Sequence, residues 1–175
     1  MKINFFEVLF CCLLFAFAGK ATGQEGFKIS TGIGVPELLN LGLHIQLKNT
    51  QVSFLAGSFP WYEEENFGVS GNFYYHFGGT SKFTPTKPWY GKMGLSYLHL
   101  EDEWERNSDL VLAPRIGREI NLSPKFGIAI EAGLMVLLIS DEKVKKERPH
   151  SFWDLELDFS GDVLPSAGLY LFYRF

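Results

Sequence analysis

Cysteine is nearly absent from this chain. The two that occur, Cys11 and Cys12, are adjacent within an apolar N-terminal run, and no third follows. Beyond that run, a disulfide scaffold, a thiolate metal site and a cysteine nucleophile are all excluded. Basic tracts are also missing. No Lys/Arg stripe or tail exists, so nucleic acid is not an expected partner. Past the N-terminus no apolar run approaches the roughly 20 residues that cross a bilayer as a helix. There is no zinc-ligand spacing, no D-x-D-x-D-G calcium loop, and no glycine-rich phosphate loop opening a helix. No cofactor and no metal is expected. Strong helix formers are scarce, whereas aromatics make up 16% of the chain and glycines number 18. That composition suits strands.

The opening "MKINFFEVLFCCLLFAFAGKATGQEG" has the parts of a secretory leader. Lys2 supplies the positive start, Val8–Ala18 the uncharged apolar stretch, and Ala21 and Gly23 the small residues before a cut. Cleavage is expected between Gly23 and Gln24, giving a leader of residues 1–23 and one domain of residues 24–175. A short membrane anchor and a lipidated cysteine are the alternatives. Against lipidation, Phe10 precedes Cys11, and apolar residues continue past Cys12. Of 16 Lys and Arg and 20 Asp and Glu, the leader holds Lys2, Lys20 and Glu7. This leaves 14 and 19, a net charge of −5.

Eight strand-like segments follow, separated by turn signals: 27–35, 41–47, 51–59, 67–77, 89–100, 109–120, 126–139 and 163–175. Most are close to the 9–11 residues of a tilted strand that crosses a bilayer. Each alternates. One face carries residues such as Ile29, Leu43, Phe54, Phe73, Met93, Ile116 and Ile130; the other carries Ser30, His44, Ser53, Asn72, Lys92, Arg115 and Glu131. Alternation alone does not say which face is inside, since a soluble lipocalin-like barrel alternates with its apolar set inward. The polar face, however, is dominated by Gly, Ser and single polar groups. A solvent face would be about a quarter to a third charged. Small residues suit the crowded interior of an eight-strand barrel. Aromatics such as Phe27, Trp61, Phe77, Trp89 and Phe126 collect at segment ends, as in the girdles of membrane barrels.

The last segment, "SAGLYLFYRF", places Ala167, Leu169, Leu171, Tyr173 and Phe175 on one parity. It resembles the C-terminal insertion signature of Gram-negative outer-membrane β-barrel proteins, and the whole segment pattern resembles the small OmpA/OmpX-type barrels. The resemblance implies an all-β fold: an eight-stranded antiparallel up-and-down transmembrane β-barrel, integral to the outer membrane after leader cleavage. It implies lipid and lipopolysaccharide as surroundings and the barrel assembly machinery as a partner during biogenesis. Both termini would face the periplasm, with residues 48–50, 79–88 and 121–125. Residues 35–40, 60–66, 101–108 and 140–162 would face outward.

Lys92, Arg115, Glu119 and Glu131 fall on the inward parity of neighbouring segments. Buried charges must be paired, so these four are expected to form a structural network in a filled interior. Eight strands leave no open aqueous channel, so a porin is not expected. In the long outer segment, "SFWDLELDFS" alternates Trp153, Leu155, Leu157 and Phe159 with acids. It reads as a strand rising above the barrel, packed on it or offered to a protein partner by its edge. The acidic runs at 63–65 and 101–103 read as a solvated rim. Catalysis has one local candidate, His150–Ser151, whose side chains point oppositely on a strand. The H-x-S-N pattern associated with lipid A deacylases is absent. The expected role is non-enzymatic, either structural or in surface interaction. The alternatives are a lipid-modifying hydrolase and a soluble binder of apolar ligands.

Overall fold

A computed structural model describes residues 26–59, 65–101, 105–145 and 163–175. Eight strands run β1 Gly26–Gly34, β2 Leu38–Leu47, β3 Thr50–Ser58, β4 Glu65–Gly78, β5 Trp89–Glu101, β6 Glu105–Asn121, β7 Phe126–Val144 and β8 Val163–Arg174. Every neighbour is antiparallel, and the sheet closes on itself in chain order. β8 provides the closure by pairing with β1 from Lys28↔Arg174 to Gly34↔Gly168. Closure removes the free edges that an open sheet would present. The leader and the segment carrying Trp153, Leu155, Leu157 and Phe159 lie outside the described residues.

The two-residue period fixes what faces where. The outer wall is apolar: Leu41 is 71% exposed, Phe54 55%, Ile116 58% and Leu169 50%. The inward parity is buried and mixed. It holds Lys28, Ser30, His44, Gln51, Asn72, Lys92, Arg115, Glu119 and Glu131, together with Leu55, Tyr74, Tyr90, Tyr170 and Phe172. The signature residues Ala167, Leu169, Leu171, Tyr173 and Phe175 all lie on the outer wall. The Phe175 N–H donates to the Phe27 carbonyl at 3.0 Å, and the two rings stand 5.5 Å apart.

Glycines make room for the inward rings. A Cβ on Gly117 would stand about 2.6 Å from the Tyr90 ring, and one on Gly32 would stand 2.7 Å from the Tyr170 Cα. Three segments differ from the sequence expectation by three residues or more: β7 continues past Ile139 to Val144, and β2 and β6 start earlier. β2 begins at Leu38, not Leu41, because the β1–β2 connection needs only Val35–Glu37. Leu38 accepts a φ of 60° to do this, a strained conformation for a bulky residue. β6 begins at Glu105, so half of the charged stretch read as a loop is strand.

β6 and β7 form the longest hairpin. Pairing of β7 with β8 stops at Val136↔Val163, while pairing with β6 continues to Glu105↔Val144. Among the described residues, Leu137–Val144 is therefore paired on one side only.

Candidate functional site

The interior is layered along the barrel axis. At the end carrying the chain termini, Glu119 of β6 accepts from Lys28 Nζ at 2.6 Å and from Arg174. Arg174 also donates to Asn121 Oδ1 at 2.6 Å. Lys28 and Arg174 stand over the Phe172 ring at 4.8 and 4.4 Å, within cation–π range. Above this lies an apolar and aromatic layer that includes Leu55, Ala129, Tyr170 and Phe172. Tyr74 and Tyr90 meet edge-on at 5.4 Å.

The second charged layer centres on Arg115. Its Nε donates to Ser166 Oγ at 2.6 Å. One terminal nitrogen donates to Glu131 and Tyr170, both at 3.1 Å. The other donates to Glu37 at 2.6 Å and to the Val35 carbonyl. Five contacts match the five N–H donors of a guanidinium. Lys92 Nζ donates to Glu37 at 2.8 Å and Glu131 at 2.9 Å. Tyr90 Oη donates to the second oxygen of Glu131 at 2.9 Å. The side chains of Lys92, Arg115, Glu37 and Glu131 are at most 2% exposed. Two cations and two carboxylates in such burial are tolerable only because each is paired and hydrogen-bonded. An apolar cap of Leu38, Leu98 and Val111, packed by Phe59 and Met135, covers this layer.

The structure thus brings Lys92, Arg115 and Glu131 together and places Glu119 in the other layer. Glu119 lies four residues further along β6 than Arg115. That is about 13 Å of strand at 3.3 Å per residue, beyond side-chain reach. Sequence reasoning missed Glu37. It sits on a turn expected to face outward, yet it folds into the interior with 2% exposure.

A third cluster lines a void of about 10 Å³, the space of one water molecule. Ser30 Oγ lies 2.7 Å from His44 Nε2, and Gln51 Nε2 lies 2.9 Å from His44 Nδ1. These distances resemble a nucleophile, a base and an orienting group. The surroundings argue otherwise: all three side chains are buried, Ser30 and His44 at 6% exposure and Gln51 at 1%. The void has no room for a substrate at the hydroxyl.

At the opposite rim, Glu101 accepts from Lys145 Nζ at 2.7 Å and forms an ion pair with Arg106 Nε at 3.0 Å. The hydrogen bond from Lys145 is the main cause that holds its carboxyl below the ordinary range. One carboxylate of the acidic run at 101–103 is therefore already paired.

The fold and interior define a class, the closed eight-stranded antiparallel barrel with a charged, filled interior and an apolar exterior. No family model, curated protein or solved structure matches the chain.

Proposed function

We propose that this chain is an integral outer-membrane β-barrel with a non-enzymatic role, structural or in surface interaction through its outer rim. One observation carries the reading: the sidedness of the wall. Large apolar side chains cover the outside on all eight strands, while seven charged residues sit inside. A monomer in water rarely exposes a contiguous apolar patch beyond a few hundred Å². Lipid removes that penalty, and a closed barrel satisfies every strand edge within it. Tyr173, Phe175, Phe27 and Phe126 gather near one end, as an interfacial aromatic belt does.

A lipocalin-like binder needs an apolar cavity, whereas here the interior holds two ion networks around a void of one water. A lipid hydrolase finds two Ser–His pairs among the described residues: Ser30–His44, which is enclosed, and Ser108–His99 at the rim, where Glu101, 3.4 Å from the other ring nitrogen, is itself held by Lys145 and Arg106. Surface interaction is favoured by the β6–β7 hairpin, whose Leu138, Ile139 and Val144 are 49%, 62% and 66% exposed beside a one-sided edge.

The test is fractionation followed by electrophoresis in cold and boiled detergent. The protein is expected to pellet with outer membranes and to shift its mobility on boiling. A soluble protein with no shift overturns the reading.

A further inference from the structure

On the outer wall, across β4 to β7, lies a groove of about 490 Å³. Its floor is made by small outward residues, Gly91, Pro114 and Ala132, and its sides by Tyr75, Met93 and Leu134. The register explains it. Gly91 pairs with Tyr75 on one side and Ile116 on the other, and Ile116 pairs with Ala132. A Cβ on Gly91 would meet nothing within 4 Å. The wall is therefore low at Gly91 and at Ala132, on either side of Ile116, which also lines the groove.

Two residues further along β6, on the same face, stands Arg118. Its guanidinium lies 5.3 Å from the Trp89 ring centroid. It also lines a second pocket of about 210 Å³ with Lys82, Thr80 and Ser81 of the β4–β5 loop; the carboxylate in that lining, Glu119, is already held by Lys28 and Arg174. Neither Arg118 nor Lys82 has a carboxylate partner among the described residues. A cation on an otherwise apolar wall, next to a second cation and two hydroxyls, is complementary to a phosphate. Guanidinium stacked on an aromatic still presents its donor edge to such a group. The adjoining hollow matches an acyl chain.

We infer that this wall holds a glycerophospholipid, with its phosphate on Arg118 and Lys82 and one acyl chain in the Gly91–Ala132 groove. The inference rests on the membrane reading above. It goes beyond that reading by naming a fixed lipid at one place on the wall.

Native mass spectrometry from detergent without phosphate tests it. The ligands are dioleoyl phosphatidylglycerol, dioleoylglycerol, and inorganic phosphate alone. The proteins are wild type, the double variant Lys82→Gln with Arg118→Gln, and Gly91→Leu. Ala132→Leu serves as a second groove filler. Each protein is first checked for its boiling shift and for insertion into vesicles. Wild type should retain phosphatidylglycerol, and each variant should lose affinity by about tenfold or more. Dioleoylglycerol and phosphate alone should bind no better than to the variants. Equal retention by all folded variants overturns the lipid site and leaves the membrane reading standing. So does wild-type binding of phosphate alone as tightly as of the lipid. Failure of wild type to insert, with no boiling shift, overturns both.

Discussion

Arg115 and Glu37 are 78 residues apart in the chain and 2.6 Å apart in the barrel interior. One comes from the middle of β6, the other from the first turn. Among the described residues, Glu37 and Glu131 are the carboxylates that bridge Lys92 and Arg115. Glu37→Gln leaves two buried cations sharing one carboxylate. The expected loss is about 3 kcal/mol or more, read as a lower urea midpoint of the refolded protein in vesicles. A midpoint equal to wild type would show that the layer contributes nothing.

Arg115→Lys keeps the charge and removes the fork. Lysine offers three donors against the five contacts that Arg115 makes. Ser166 and the Val35 carbonyl keep the 2.7 Å hydrogen bond between them, so the loss falls on Tyr170 and on the contacts to the two carboxylates. Destabilisation of about 1–3 kcal/mol is expected. The same unfolding measurement, with Lys92→Arg as a size control, decides it.

The closing seam is sensitive to a single methyl. A Cβ on Gly32 would press into the Leu169 carbonyl oxygen and lie 2.7 Å from the Tyr170 Cα, both on backbone that cannot step aside. Gly32→Ala should cost about 1–3 kcal/mol. Gly71 faces outward with nothing within 4 Å of its Cβ position, so Gly71→Ala should stay within about 0.5 kcal/mol. Equal effects at the two sites would contradict the packing described for the β1–β8 seam.

Glu101 provides a pH signature at the rim. Its carboxyl is held below the ordinary range, chiefly by Lys145 and then by Arg106. The contribution of a depressed carboxylate is complete above its unfolded pKa and is lost as pH falls through the folded one. Side-chain NMR titration should show Glu101 ionising below a free glutamate, and Lys145→Gln should move it upward. No change in the variant would mean that the contact is not formed in solution.

Ser30 is expected to be chemically silent. Lipid A mass spectra from cells expressing Ser30→Ala or wild type should be identical. A mass change present only with wild type would restore the hydrolase reading.

The strands and their facing were legible because alternation is a direct imprint of the pleat. The inward placing of Lys92, Arg115, Glu119 and Glu131 was legible because a charge among Gly and Ser on an inward parity has no water to turn to; that Glu119 belongs to a separate layer was not. Glu37 was not, because a turn residue has no parity. Charge balance could have found it: Lys28, Lys92, Arg115 and Arg174 share the inward face with only Glu119 and Glu131, so a further acid had to come from somewhere. The start of β6 was misplaced for a related reason. Above the apolar wall both faces of a strand are polar, so Glu105–Ser108 loses the alternation that marks strands elsewhere. The inward aromatic layer was partly hidden too. Leu55 and Phe172, 1% and 2% exposed, break the rule that the interior parity is polar.

The Arg115 layer draws its members from the β1–β2 turn, β5, β6, β7 and β8. No subset of adjacent hairpins contains a complete set of partners. A barrel still lacking β8 leaves Arg115 without its Ser166 and Tyr170 partners, and one with its first turn swung out leaves two inward cations on one carboxylate. Closure of the barrel is for that reason expected to be cooperative, with contacts between the two ends of the chain completing the layer. Such long-range contacts slow folding, so closure, more than the formation of individual hairpins, is expected to limit the rate at which this barrel matures.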